Sequence, residues 1–91
     1  MKIINLTVAR GHLILWLENG RFVYVDGELT LGQKFYVTGG RTWQWVGQPS
    51  PTIQFLRDMK VIAPVSAIEK PRIMAAVNQF NKTHEFQILL D

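Results

Sequence analysis

The stretch Leu13-Ile-Leu-Trp-Leu-Glu-Asn-Gly-Arg-Phe-Val-Tyr-Val25 decides the fold. Two runs of β-branched, aromatic and aliphatic residues flank Asn19-Gly20. That dipeptide is a strong hairpin signal, because a type I′ turn needs positive φ at both central positions. A two-residue turn there sets Glu18 opposite Arg21, Leu17 opposite Phe22, Trp16 opposite Val23 and Leu15 opposite Tyr24. Strand period then puts Leu13, Leu15, Leu17, Phe22 and Tyr24 on one face, with Ile14, Trp16, Val23 and Val25 on the other. Both faces are apolar, so this hairpin is expected to be covered on both sides.

Reading outward, further turn signals fall at Arg10-Gly11, Asp26-Gly27, Gly32 and Gly39-Gly40. Short strand-like segments lie between them, the pattern of an antiparallel meander. The segment from Lys34 to Trp45, turned at Gly39-Gly40, reads as a second hairpin. Phe35, Val37, Thr42, Gln44 and Val46 then point one way, and Lys34, Tyr36, Thr38, Arg41, Trp43 and Trp45 the other. Large rings beside long cations are the composition of buried anchors in protein interfaces. Core placement of the tryptophans would leave Thr42 and Gln44 outside. Lys34 and Arg41 share the tryptophan face, however, while Phe35 and Val37 share the opposite one. The tryptophan face is therefore read as exposed or covered by a partner. On that reading Trp43→Ala or Trp45→Ala weakens binding by more than about 2 kcal/mol and leaves the domain folded. Trp16, inside a strongly apolar strand, is assigned to the core.

Beyond the strands, Ile73, Val77 and Phe80 recur at helical spacing, with Met74 and Ala76 beside them, so an amphipathic helix is expected between Ser66 and Lys82. Ser66 and Glu69 read as a capping box, but Pro71 would then fall at the fifth helical position, where it removes a needed N–H. A start at Glu69 or Lys70 puts Pro71 in the first turn and gives up the box. Both starts are open. Gln48-Pro49-Ser50-Pro51 reads as a loop, and Ser50 could cap a short helix through Met59. Pro64 interrupts the apolar run Val61-Ile62-Ala63. Glu85 to Leu90 alternates as a final strand. The expected fold is one α+β domain over residues 1–91: an antiparallel β-meander of five or six strands, one main C-terminal helix packed on one sheet face, and a last strand. The other apolar face is left for a homodimer seam or for contact with a partner.

The 91 residues are 47% hydrophobic and lack cysteine, which excludes disulfides and thiolate metal sites and fits a reducing cytoplasm. No apolar run approaches the ~20 residues that span a bilayer, so no membrane role is expected. The first residues read as a strand and not as a signal peptide. Ten Lys and Arg against seven Asp and Glu give a net charge of +3, without clustering. Such a surface is mildly basic and hints only weakly at nucleic acid.

Reactive chemistry is sparse. His12, beside the Arg10-Gly11 turn, reads as a surface residue, and His84 as the cap of the helix end. With no metal-ligand spacing, neither a metal nor a cofactor is expected. Ser50 and Ser66 lack a nucleophile elbow, and Gly39-Gly40-Arg41 lacks the length of a phosphate loop. Asp26 and Glu28 bracket Gly27 and are explained by turn chemistry before a catalytic carboxylate pair. The chain is expected to bind and not to catalyse.

Several of these segments occur in an order that resembles a known family. Met1-Lys-Ile-Ile-x-Leu-Thr7 precedes a hairpin. Val25-Asp-Gly-Glu-Leu29, Phe35-Tyr-Val37 and Trp43 running to Pro49 follow. A Glu-Lys-x-x-Ile-x-x-Ala-Val helix begins at Glu69, and Phe86-x-Ile88 closes the chain. This order is similar to a small immunity-protein family of bacterial polymorphic toxin systems, including contact-dependent growth inhibition. The resemblance implies a cytoplasmic protein, its dimerisation left open, that neutralises a cognate toxin domain by occluding its active site or substrate access. The contact residues expected on this reading are Lys34, Tyr36, Arg41, Trp43 and Trp45, with Asp26 and Glu28, which form a local acidic patch together with Glu18. The alternative is a small β-sheet binder of single-stranded nucleic acid, with Tyr36, Trp43 and Trp45 stacking on bases and Lys34 and Arg41 on phosphates.

Overall fold

The computed structural model describes residues 1–38, 43–49 and 60–90. Among these residues six strands precede a helix and one follows it: β1 (Ile3–Val8), β2 (His12–Leu17), β3 (Phe22–Thr30), β4 (Lys34–Val37), β5 (Gln44–Val46), β6 (Val61–Pro64), α1 (Lys70–Thr83) and β7 (Gln87–Leu89). They form a mixed sheet with one C-terminal helix and a final strand, the expected α+β architecture. The main path runs β1-β2-β3-β4-β7, with β5 and β6 branching from β3.

The β2–β3 hairpin forms, but one residue away from the expected register. Trp16 pairs with Phe22, Leu15 with Val23 and Ile14 with Tyr24. Gly20 takes φ +82°, while Asn19 keeps negative φ. Gly20 N–H donates to Leu17 O at 3.0 Å, and Leu17 N–H to Arg21 O at 3.0 Å. This is a three-residue loop whose glycine alone sits in the left-handed region, the alternative to type I′ that Asn-Gly also permits. Because side chains alternate with period two, the one-residue slip exchanges the faces of β3. Val23 and Val25 join Leu13, Leu15 and Leu17 in the main core, whereas Phe22 and Tyr24 join Ile14 and Trp16 outside it.

Asp26-Gly27 is not a turn. Strand β3 runs straight through it to Thr30, and Gly27 is required for packing. A Cβ there would collide with the Tyr36 carbonyl oxygen and the Phe35 ring. Gly27 opposes Val37, so the missing side chain lets Phe35 lie across β3.

The expected β4–β5 hairpin is also replaced. Both strands pair antiparallel with β3, β5 along Phe22–Tyr24 and β4 along Gly27–Thr30. Parity across a Gly39-Gly40 turn therefore does not relate their faces. Trp45 opposes Val23, which points inward, so Trp45 and Trp43 point inward with Phe35 and Val37. Trp43 and Trp45 are 4% and 2% exposed, which overturns the expected outward tryptophan face. The Gly39-Gly40 turn, Arg41, and the helix expected from Ser50 through Met59 lie outside the described residues.

Pro64 ends β6, which pairs only with β5 among the described strands; proline is tolerated at such an edge. At the helix start both open readings coexist. Ser66 Oγ accepts from Glu69 N–H at 3.2 Å and Glu69 Oε1 accepts from Ser66 N–H at 3.1 Å, closing the capping box over a turn. The helix proper then begins at Lys70, with Pro71 in its first turn. There the missing N–H has no intrahelical partner to lose. Ile73, Ala76, Val77 and Phe80 are buried against the sheet, while Met74, expected beside them, is 37% exposed. Each large side chain of this stripe stabilises the fold by roughly 1.5–3 kcal/mol.

Strand β7 returns parallel to β4. Its outer edge is closed by Asn81, whose side-chain amide donates to Ile88 O at 2.7 Å and whose Oδ1 accepts from Ile88 N–H at 2.8 Å. No helix among the described residues is long and apolar enough to cross a membrane.

Candidate functional site

Cross-strand pairs share a face, and in β3–β4 they assemble an exposed one. Glu28 opposes Tyr36 and Thr30 opposes Lys34. Phe35 and Val37 are buried beneath, so their neighbours Lys34 and Tyr36 stand out of the sheet, Tyr36 with 43% exposure. Leu89 lies beside Tyr36 on β7. Asp26 continues the row two residues before Glu28 and is half-buried. Of the seven residues expected to contact a partner, Lys34, Tyr36, Asp26 and Glu28 thus converge on the outer face. Trp43 and Trp45 lie on the inner side of the same sheet, and Arg41 falls outside the described residues.

At the buried end of this face, Asp26 is backed by two aromatic groups. His12, expected at the surface, is 6% exposed, because it opens β2 directly opposite Asp26 rather than ending a loop. Its ring stacks on Tyr24 at 5.2 Å between centroids. Burial lowers the His12 pKa, against the opposing charge of Asp26. Burial, then a hydrogen bond and the charge of Asp26, push the Tyr24 phenol up to about 12. Asp26 therefore ties the interior of the outer face to its exposed acidic row. His84 is placed as expected: it caps α1 and stacks flat on Phe80 at 3.8 Å.

The pairing of rings with cations is present, but the cations lie over the two buried tryptophans. The Arg21 guanidinium lies 3.5 Å above the Trp45 ring, and Lys70 Nζ lies 5.4 Å from the Trp43 ring centroid. Glu69 completes the first of these lids. Its Oε1 accepts from Trp45 Nε1 at 3.1 Å, and its Oε2 meets Arg21 Nη1 at 3.4 Å. The Trp45 hydrogen bond, the two Ser66 bonds and the Arg21 charge hold the Glu69 carboxyl down at about 2. Sequence reasoning missed this cluster, although the Ser66–Glu69 box marked half of it. Among the described residues no three His, Asp or Glu side chains come together in a group that could hold a metal ion.

Compared with family models, curated proteins and solved structures, the chain finds no match.

Proposed function

We propose that this chain is an immunity protein acting in the cytoplasm, which binds a cognate toxin domain through the outer face of β3 and β4 and occludes its active site or substrate access. The observation that carries the reading is the convergence of Lys34, Tyr36, Glu28 and Asp26 on one face, whose exposed members combine a ring with both signs of charge. Such a face gives orientation through charge and affinity through a central aromatic anchor. A contact of about 800 Å² per partner is within reach of a domain this size. The segment order resembling immunity proteins supplies the toxin as partner. No catalytic residue, metal or cofactor enters the proposal, and a homodimer is compatible with it.

The nucleic-acid alternative is weakened by the burial of Trp43 and Trp45, which leaves Tyr36 as the one exposed ring of its three stacking residues. Co-expression with the toxin domain encoded immediately upstream tests the proposal. A stoichiometric complex is expected, weakened by more than about 2 kcal/mol, or roughly thirtyfold, in Tyr36→Ala. Absence of co-elution, or equal affinity in Tyr36→Ala and a Glu28→Lys/Lys34→Glu double variant, rejects it.

A further inference from the structure

A groove separates β1 from α1 on the helix side of the sheet, away from the face just described. It consists of two clefts of about 440 and 420 Å³ that share Ala76 as a wall. Ile3, Ala76 and Phe80 give it an apolar floor, and Ala75 keeps the helix side low. Lys2 stands at one cleft and Arg72 at the other, both exposed. No described Asp or Glu lines either cleft. The nearby N-terminal ammonium already has a counter-charge, Glu18, at 3.7 Å. Lys2 and Arg72 have no carboxylate partner among the described residues.

We propose that this groove binds a short acidic peptide segment of a protein partner, with carboxylates on Lys2 and Arg72 and an apolar side chain over Ile3 and Ala76. Charge complementarity sets the sign of the occupant. From Arg72 to His84 the helix side runs about 18 Å, which holds five or six extended residues at about 3.3 Å each. Recognition is by side chains and not by strand addition. Strand β1 is irregular between Ile3 and Asn5, and the Leu6 N–H is already taken by Asn5 Oδ1 at 2.8 Å. Bulged, self-satisfied edges of this kind resist pairing with a new strand. Nucleic acid fits less well. The Phe80 ring face is covered by His84, and two cations over an apolar floor cannot neutralise a row of phosphates. The inference stands independently of the toxin reading, since none of its residues lies on β3 or β4.

The test is a titration of the isotope-labelled protein with acetyl-Glu-Asp-Leu-Glu-Leu-Asp-amide at low salt, followed by amide chemical shifts. Saturable shifts at Ala75, Ala76 and Phe80 are expected, with affinity at least tenfold lower in Lys2→Glu/Arg72→Glu and in the charge-neutral Ala75→Gln. Lys60→Glu, remote from the groove, should bind as the parent does. Four results would overturn the proposal: no binding, equal binding of the Gln-Asn-Leu-Gln-Leu-Asn peptide, unchanged affinity in the double variant, or tighter binding of a (dT)12 oligonucleotide at the same amides.

Discussion

Trp45 and Tyr36 sit on strands that pair with the same edge of β3, and each is an aromatic ring close to a long cation in sequence or in space. Their fates are opposite. Trp45 is sealed beneath Arg21, tied by its Nε1 to Glu69, and packed against Val23 and the helix side of the sheet. Tyr36 stands on the reverse face with Lys34 and Glu28 around it, open to whatever binds there. The composition of the two neighbourhoods is nearly the same. Register against β3 decides which ring stabilises the fold and which is free to recognise a partner.

Replacing each ring in turn should separate these roles most sharply. Trp45→Ala removes a buried indole and strips both Arg21 and Glu69 of their shared partner, so a loss of about 3–5 kcal/mol is expected in urea or thermal unfolding. In contrast, Tyr36→Ala should shift stability by no more than about 0.5 kcal/mol. Equal costs for the two variants would show that the comparison is wrong and that Tyr36 also belongs to the folded scaffold.

A smaller effect is expected at the point where the two faces meet. Gly27→Ala pushes a methyl group into the Tyr36 backbone and the Phe35 ring, so β4 must move away from β3. Overpacking of this kind typically costs about 1–3 kcal/mol. Because the displaced strand carries Lys34 and Tyr36, the same variant should weaken partner binding beyond its effect on stability. A Gly27→Ala protein as stable as the parent would mean that β4 can separate freely, and the outer face would lose its rigid support.

How much of this was legible follows from the range of the interactions involved. The strands, the amphipathic helix and its capping box rest on neighbours within a few residues, and period and capping residues reveal them. Lys34 and Tyr36 were legible for the same reason: alternation with Phe35 and Val37 is local to β4. The hairpin register was not. Asn19-Gly20 supports either loop length, and the choice turns on whether Asn19 or only Gly20 takes positive φ. The tryptophan face was out of reach because alternation relates residues within one strand, and only strand pairing relates the faces of β4 and β5. That depends on β5 pairing with β3 more than twenty residues away in sequence. Asp26-Gly27 misled in the same way, since the contact that demands glycine comes from Phe35 and Tyr36.

Acid should sharpen the comparison further, because the inner and outer faces each carry one group that resists protonation. On the outer face, His12 has its pKa lowered by burial beside Tyr24 and Asp26, while in the unfolded chain it titrates near 6.5. The unfolded state then binds the extra proton, so the His12 contribution is present above 6.5 and declines as pH falls through that value. On the inner face, Glu69 is held at about 2 against an ordinary 4.5. Its contribution is complete above 4.5 and is lost as pH falls from there toward 2. Unfolding free energy measured across pH 8 to 2 should accordingly fall in two stages. His12→Gln should flatten the upper stage and Glu69→Gln the lower one, each leaving the other stage in place. Salt screens the exposed pairing of Glu69 with Arg21, yet the lower stage should shrink in 1 M salt less than a pure ion pair would. The Trp45 and Ser66 hydrogen bonds, which dominate the lowering of its pKa, persist under those conditions. A lower stage that vanishes in salt would place the stabilisation in the Arg21 charge and remove Glu69 as the lock on the buried indole.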